Sequence, residues 1–223
     1  GYSTLPRDQA FYQACPDEPA GIPVRTGLTF WRTALVATAY CLAMVAAQPW
    51  YRGHRYHRSM HPLRQGLCWV RSGWRKLAYG WRQRHVLEEL TSPERSKRWF
   101  LLPLQVHNDS QIVHHSPFDD VHHVIRHVMT SFAQHAPADH ALVIKHHPMD
   151  RAYVDYTGFI EALAQELGLS SRVRYVHDLH LPTLLKHTRG VVTVNSTTGL
   201  QAMAHHAPVI ALGDCFYAVP GMV

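Results

Sequence analysis

Two kinds of apolar patterning divide this chain. Residues 33–47 are apolar throughout apart from their threonines and Tyr40. That pattern predicts a helix halted by Pro49, because proline lacks the N–H and clashes with the preceding turn. The run is shorter than the roughly 20 residues that span a bilayer. Two readings stay open: a buried core helix, or a helix lying at a membrane interface. Residues 67–90 carry apolar positions at helical spacing among basic and aromatic side chains, which predicts an amphipathic helix. From residue 99 onward, short apolar runs alternate with segments of helical periodicity. Residues 99–106, 141–144, 173–176, 190–194 and 208–212 read as strands, and residues 119–134, 156–167, 181–187 and 198–205 as helices. Asp119 and Asp120 offer caps for the first of these helices, and Gly168 a left-handed end for the second. The order β-α-β-α-β-α-β-α-β predicts an α/β domain with a Rossmann-like parallel sheet and helices on both faces.

Three segments follow from this. Residues 1–27, with Pro6, Pro16, Pro19 and Pro23, read as an extended connector. Residues 28–97 form a helical basic and aromatic segment, and residues 98–223 a Rossmann-like nucleotide-binding domain. Gly1 in the place of a methionine, and an end at Val223 just after the turn-forming Pro220-Gly221, suggest a piece of a longer protein.

Composition adds one asymmetry. With 46% hydrophobic and 17% charged residues, a chain of 223 residues can bury a core and is not compositionally disordered. The net charge of +6 is unevenly spread. Residues 19–87 hold 11 of the 22 basic residues and no Asp or Glu, so the remaining 11 face 16 acidic residues, a balance of −5. Cations interleaved with Trp50, Trp69, Trp74, Tyr79 and Trp81 suit an anionic membrane surface, a solvated face covering another domain, or nucleic acid. The last is the weakest, since residues 50–87 match no recognised nucleic-acid-binding fold. Cys15, Cys41, Cys68 and Cys215 are scattered and read as reduced thiols, not a disulfide frame or zinc site.

The candidate chemistry sits where predicted strands end, which is where open parallel sheets bind ligands. Gln105-Val106-His107-Asn108-Asp109-Ser110-Gln111 follows the first strand. Asp109 there is either a nucleophile or base, or a cap for the next turn. Lys145-His146-His147-Pro148 follows the second strand and can donate hydrogen bonds to a phosphate. Asn195-Ser196-Thr197-Thr198-Gly199 follows the fourth and offers hydroxyls and backbone N–H groups to an anion, or a plain N-cap. With 19 histidines in the chain, any one His pair carries little weight. The pairs His114-His115, His122-His123 and His205-His206 lack metal-site spacing, and no GxSxG or P-loop occurs.

Three of these motifs, together with Gly1-Tyr2-Ser3-Thr4-Leu5-Pro6-Arg7-Asp8-Gln9-Ala10-Phe11-Tyr12, occur in a specific order. With them the chain resembles the capsule polysaccharide biosynthesis/export family, which includes the KpsC/KpsS-type Kdo transferases. The resemblance covers nearly the whole chain. It implies a retaining, double-displacement glycosyltransferase of GT-B type, this chain being its C-terminal Rossmann-like half. It implies CMP-Kdo as donor, a phospholipid-linked acceptor, and no cofactor or metal. The location implied is cytoplasmic and peripheral to the inner membrane, near a capsule export transporter. Lys145, His147 and Pro148 would meet the CMP phosphate, and Asn195, Ser196, Thr197, Thr198 and Gly199 would form the matching Ser/Thr motif. Asp109, in the pattern Gln105-x-x-x-Asp109-x-Gln111, would be the nucleophile, with Gln105 and Gln111 at the substrate. The N-terminal half that such an enzyme needs is not in the chain, so this piece alone would be inactive. The alternative is a non-catalytic export or assembly factor docking on the transporter.

Overall fold

The computed structural model describes residues 30–51, 62–219, 221 and 223; the connector expected over 1–27 lies outside them. The chain forms two compact units, divided between Val70 and Arg71.

In the first unit, α1 (Phe30–Ala47) starts three residues earlier than the apolar run predicts and reaches 18 residues. With a mean hydropathy of 1.4 it is long and apolar enough, by length and composition, to cross a membrane. Its residues are exposed or half-buried, so the core-helix reading is not what the structure shows. Phe30 meets Trp31 and Trp69 edge-on, at 5.1 and 5.7 Å between ring centroids. A second helix, α2 (Pro62–Arg82), begins in this unit, and its turns from Arg71 onward belong to the next.

The second unit is built on five parallel strands: β1 (Trp99–Pro103), β2 (Ala141–Lys145), β3 (Val173–Val176), β4 (Gly190–Thr193) and β5 (Val209–Ala211). Their order is β3-β2-β1-β4-β5. Strand side chains alternate between faces, and both faces here are apolar. Leu142 and Ile144 join one core with Ile125, Met129 and Phe132 of α5 (Val121–His135) and Leu163 of α6 (Thr157–Glu166). Val143 and Leu101 join the other with Leu184 and Leu185 of α7 (Leu181–His187) and Ala202 of α8 (Thr198–Ala204). Burying each large side chain contributes about 1.5–3 kcal/mol. The chain therefore winds outward from β1 through β2 to β3 under one helical layer. It then returns to β4 and β5 under the other. The direction reverses between β1 and β4, which is where such sheets hold ligands.

Local signals account for most boundaries. Asp120 caps α5 by accepting from His123 N at 2.8 Å, while Asp119 pairs with the His123 ring at 3.1 Å. Gly168 takes φ +67° just past α6, a conformation glycine adopts at little cost. The helix expected over 67–90 is instead two, α2 and α3 (Val86–Thr91). The break falls where Gln83 turns to the exposed edge of β3, donating to Tyr175 O (3.2 Å) and accepting from His177 N (2.9 Å). One side-chain amide thus stands in for a missing neighbour strand. The helix α4 (Ser110–His115) falls in a stretch that the apolar pattern leaves without an element.

Candidate functional site

Three strands deliver their ends to one edge. β1 lies between β2 and β4, so the loops after β2 and β4 flank the loop after β1, with roughly 9–10 Å between the outer strand axes. Gln105 leaves β1 buried, and its amide reaches across the reversal point. Its Nε2 donates to Asn195 Oδ1 (3.0 Å) and to Asp109 Oδ2 (2.9 Å), and its Oε1 accepts from Asn195 N (3.3 Å). Asn195 Nδ2 in turn donates to Gln111 O (2.9 Å) and His115 O (3.3 Å), tying the β4 loop to both ends of α4. Asp109 is the N-cap of α4, its Oδ1 accepting from Gln111 N at 3.0 Å. The structure thus brings Gln105, Asp109 and Asn195 into one hydrogen-bonded group. It also gives Asp109 the capping role that the sequence left open beside the nucleophilic one. The Gln111 side chain is exposed.

After β2, the side chains part. Lys145 is buried at 7% exposure, not displayed at the edge, and burial lowers its pKa; Asp178 pulls it back up and Arg151 pushes it down. His146 is buried on the opposite face, where its Nδ1 meets Tyr175 OH at 2.6 Å. His147 is half-buried at the edge and caps a single 3-10 turn, Pro148–Asp150, with Nδ1 accepting from Met149 N at 3.2 Å. An accepting Nδ1 leaves the ring proton on Nε2, a neutral donor. Pro148 is exposed. Asp150 is fully buried and accepts from His107 N (2.5 Å), with its other oxygen 2.7 Å from His107 Nδ1. It fastens the β1 loop to the β2 loop.

After β4, Ser196 Oγ accepts from Thr198 N and donates to Thr198 Oγ1, both at 3.2 Å. Ser196 therefore caps α8; Thr197, at the formal N-cap, makes no side-chain cap and is exposed. With seven residues, α8 is too short to add much dipole of its own. Gly199 has a packing reason to be glycine: a Cβ there would sit 2.4 Å from Tyr217 Oη and 2.7 Å from its ring. Tyr217 OH also donates to Ser196 O at 2.5 Å, so the ring cannot swing away without losing that bond. Gly199→Ala is expected to cost about 1–3 kcal/mol of folding stability by overpacking. Urea unfolding measures it, and a loss below 0.5 kcal/mol would show that the ring yields.

Several residues here escape sequence reasoning. Asp150, Arg151, His177 and Asp178 lie behind the edge, the first three buried and Asp178 half-buried: Arg151 forks onto Asp178, with Nε to Oδ2 at 3.0 Å and Nη2 to Oδ1. Asp150 had a readable signal, two residues past the Pro148 turn. Asp178 had none, since its pairing depends on the β2–β3 register. A separate cavity of about 570 Å³ lies along β3, lined among others by Tyr79, Arg82, Tyr175 and His177. Among the described residues, no three His, Cys, Asp or Glu side chains gather as a metal requires. Cys41, Cys68 and Cys215 are free; Cys15 lies outside the described residues.

Comparison with known proteins gives a family. The model of the family described as "Capsule polysaccharide biosynthesis protein" matches residues 1–223. The "Capsule polysaccharide export protein KpsS" of Escherichia coli is 42% identical over 221 residues, covering 99% of this chain and 57% of that protein. The "Capsule polysaccharide modification protein LipB" of Neisseria meningitidis serogroup B is 36% identical over 228 residues, covering 99% of this chain and 54% of that protein. The chain spans about half the length of the curated relatives it matches. A solved structure of Thermosulfurimonas dismutans KpsC, a beta Kdo 2,7 transferase, is 22% identical and has a TM-score of 0.44. It covers 70% of this chain and 50% of that one, a likeness too loose to assign chemistry.

Proposed function

We propose that this chain, which belongs to the capsule polysaccharide biosynthesis protein family, carries the nucleotide-binding half of a GT-B glycosyltransferase that moves Kdo from CMP-Kdo onto a lipid-linked acceptor. One observation carries the reading. A doubly wound parallel sheet reverses direction between β1 and β4, and its polar loops converge on that point. A CMP phosphate lying across the end of β1 would have His147 and the β2 loop on one side and Ser196 to Thr198 on the other. Charge builds on that phosphate as the sugar departs, and fixed donors at the loops stabilise it as it develops. His147 supplies a neutral N–H. Thr197, exposed and free of the cap, is the hydroxyl best placed to turn toward a ligand.

In the retaining route, an Asp109 oxygen attacks the anomeric carbon and the bond to the CMP oxygen breaks, with CMP leaving as the phosphate monoester. An acceptor hydroxyl then attacks the same carbon, loses its proton, and releases the Asp109 carboxylate. Gln105 and Gln111 N, which hold the two Asp109 oxygens, would orient it for that attack.

A second reading has its own support. Both Asp109 oxygens are already engaged in capping and bridging, and one relative is named an export protein. Under that reading the domain is a non-catalytic assembly factor and needs no nucleotide. Calorimetric titration of CMP separates the two. Wild type is expected to bind, and His147→Ala to bind about tenfold more weakly, since a hydrogen bond to a charged group is worth at least about 1.4 kcal/mol. Equal affinity for both proteins, or no binding to either, overturns the assignment.

A further inference from the structure

Helix α2 is inside out over its C-terminal half. The side that packs on the protein is its polar side. Ser72 Oγ accepts from Arg151 Nη1 at 3.2 Å, and Arg75 Nη1 donates to Arg151 O at 2.7 Å. Arg75 Nη2 and Tyr79 OH both reach Asp155 Oδ2, at 3.4 and 3.3 Å, and the Tyr79 ring stacks on His177 with centroids 3.6 Å apart. Trp74, Leu77 and Trp81 face the other way, at 67%, 68% and 69% exposure. Their spacing of three and four residues sets them on one stripe, which Leu67 and Val70 extend. At about 100° per residue, that stripe lies across the helix axis from Ser72, Arg75 and Tyr79. A helix on the surface of a soluble domain has the reverse arrangement, apolar in and polar out.

What flanks the stripe decides its occupant. The same helical spacing sets Arg71 and Arg82 along one side of it, both exposed, with Arg84 just past the helix end. The stretch holds no acidic residue to offset them. We infer that α2 lies in the plane of an anionic lipid bilayer, its Trp74-Leu77-Trp81 stripe among the lipid chains and its basic flank on the headgroups. Indole rings and lysine or arginine side chains are the groups that settle at that depth. A second copy of the chain fits poorly, since pairing two such faces sets basic flank against basic flank. Nucleic acid would use the cations but leave Leu77 in water. The surface is distinct from the strand ends, so this inference stands or falls apart from the nucleotide reading.

The test is co-sedimentation of the protein with vesicles of phosphatidylcholine alone and of phosphatidylcholine mixed with phosphatidylglycerol. Wild type is expected to bind the mixed vesicles, and less as salt rises. Trp74→Ser/Leu77→Ser/Trp81→Ser is expected to lose at least tenfold in partitioning. Arg71→Gln/Arg82→Gln is expected to lose about 25-fold, from roughly fivefold per basic residue. Because these side chains point outward, the urea midpoints and CMP titrations of both variants should match wild type, which separates a lost membrane from a lost fold or a lost nucleotide site. Equal partitioning of wild type and the triple variant overturns the inference. So does equal binding to neutral vesicles at all salt concentrations, and so does lipid-free dimerisation that the triple variant abolishes while wild type ignores vesicles.

Discussion

Replacing Asp178 with Ala is expected to cost roughly 3–5 kcal/mol of folding stability. Arg151 is 5% exposed and its guanidinium grips both Asp178 oxygens, while Lys145, 7% exposed, is held toward its charged form by the same carboxylate. Without Asp178, two buried cations lose the carboxylate they share. Lys145 can relieve the conflict by shedding a proton, since burial and Arg151 already lower its pKa. Arg151 cannot, because guanidinium stays charged at any pH a protein survives. The penalty therefore falls on Arg151, whose bond to Ser72 Oγ does not cancel a charge. Asp178→Asn keeps an acceptor and removes only the charge, so it should fall between wild type and Asp178→Ala. The double variant Arg151→Met/Asp178→Ala removes both ends of the pair and should recover at least half of the loss. Urea unfolding of the four proteins closes the cycle. A loss under 1 kcal/mol for Asp178→Ala would mean that water reaches Arg151 freely.

What the sequence revealed and what it hid divide along one physical line. The short apolar run at 141–144 read as a strand in a sheet covered on both faces, and the structure puts Leu142 and Ile144 in one core and Val143 in the other, because apolar patterning is a local property that burial enforces. The strand-end clusters were likewise legible, because a parallel sheet sends every strand to the same edge. Partnerships across the sheet were not. Nothing near Gln105 in the chain announces that its amide bridges Asn195, 90 residues away. Lys145 read as an edge cation, yet the β2–β3 register sends it behind the edge to Asp178. Helix α2 gave the opposite lesson. Its amphipathicity was plain, but which side met the protein was not, since a stripe of Trp and Leu beside a stripe of Arg, Tyr and Gln fits either packing until Asp155 and His177 are seen to take the polar one.

Acidification from pH 7 to 4 is expected to remove up to roughly 6 kcal/mol of stability through two rings alone. His146 and His177 are 2% and 5% exposed, and their centroids are 5.1 Å apart. Burial is the largest cause that lowers both pKa values to about 4, joined at His146 by repulsion from a charge on His177. Asp155 and Asp150 pull the other way; Arg151, Arg75 and Lys145 keep His177 low. His146 Nε2 has no hydrogen-bond partner among the described residues, so a proton there would be buried unpaired. The unfolded rings titrate near 6.5. Between 6.5 and 4 the unfolded chain therefore binds more protons than the native one, and stability falls as pH falls. Above 6.5 these rings contribute no slope. Each pH unit in the window costs about 1.4 kcal/mol per ring, so about 3 kcal/mol per ring across it. Because the rings sense each other, the loss belongs to the pair. His146→Leu removes one of the two and should roughly halve the slope of unfolding free energy against pH between 6.5 and 4. The comparison of slopes holds even if the variant starts from a lower stability. A wild-type profile flat from pH 7 to 5 would show that both rings already accept protons in the native state, and that the polar side of α2 rests on charged histidine.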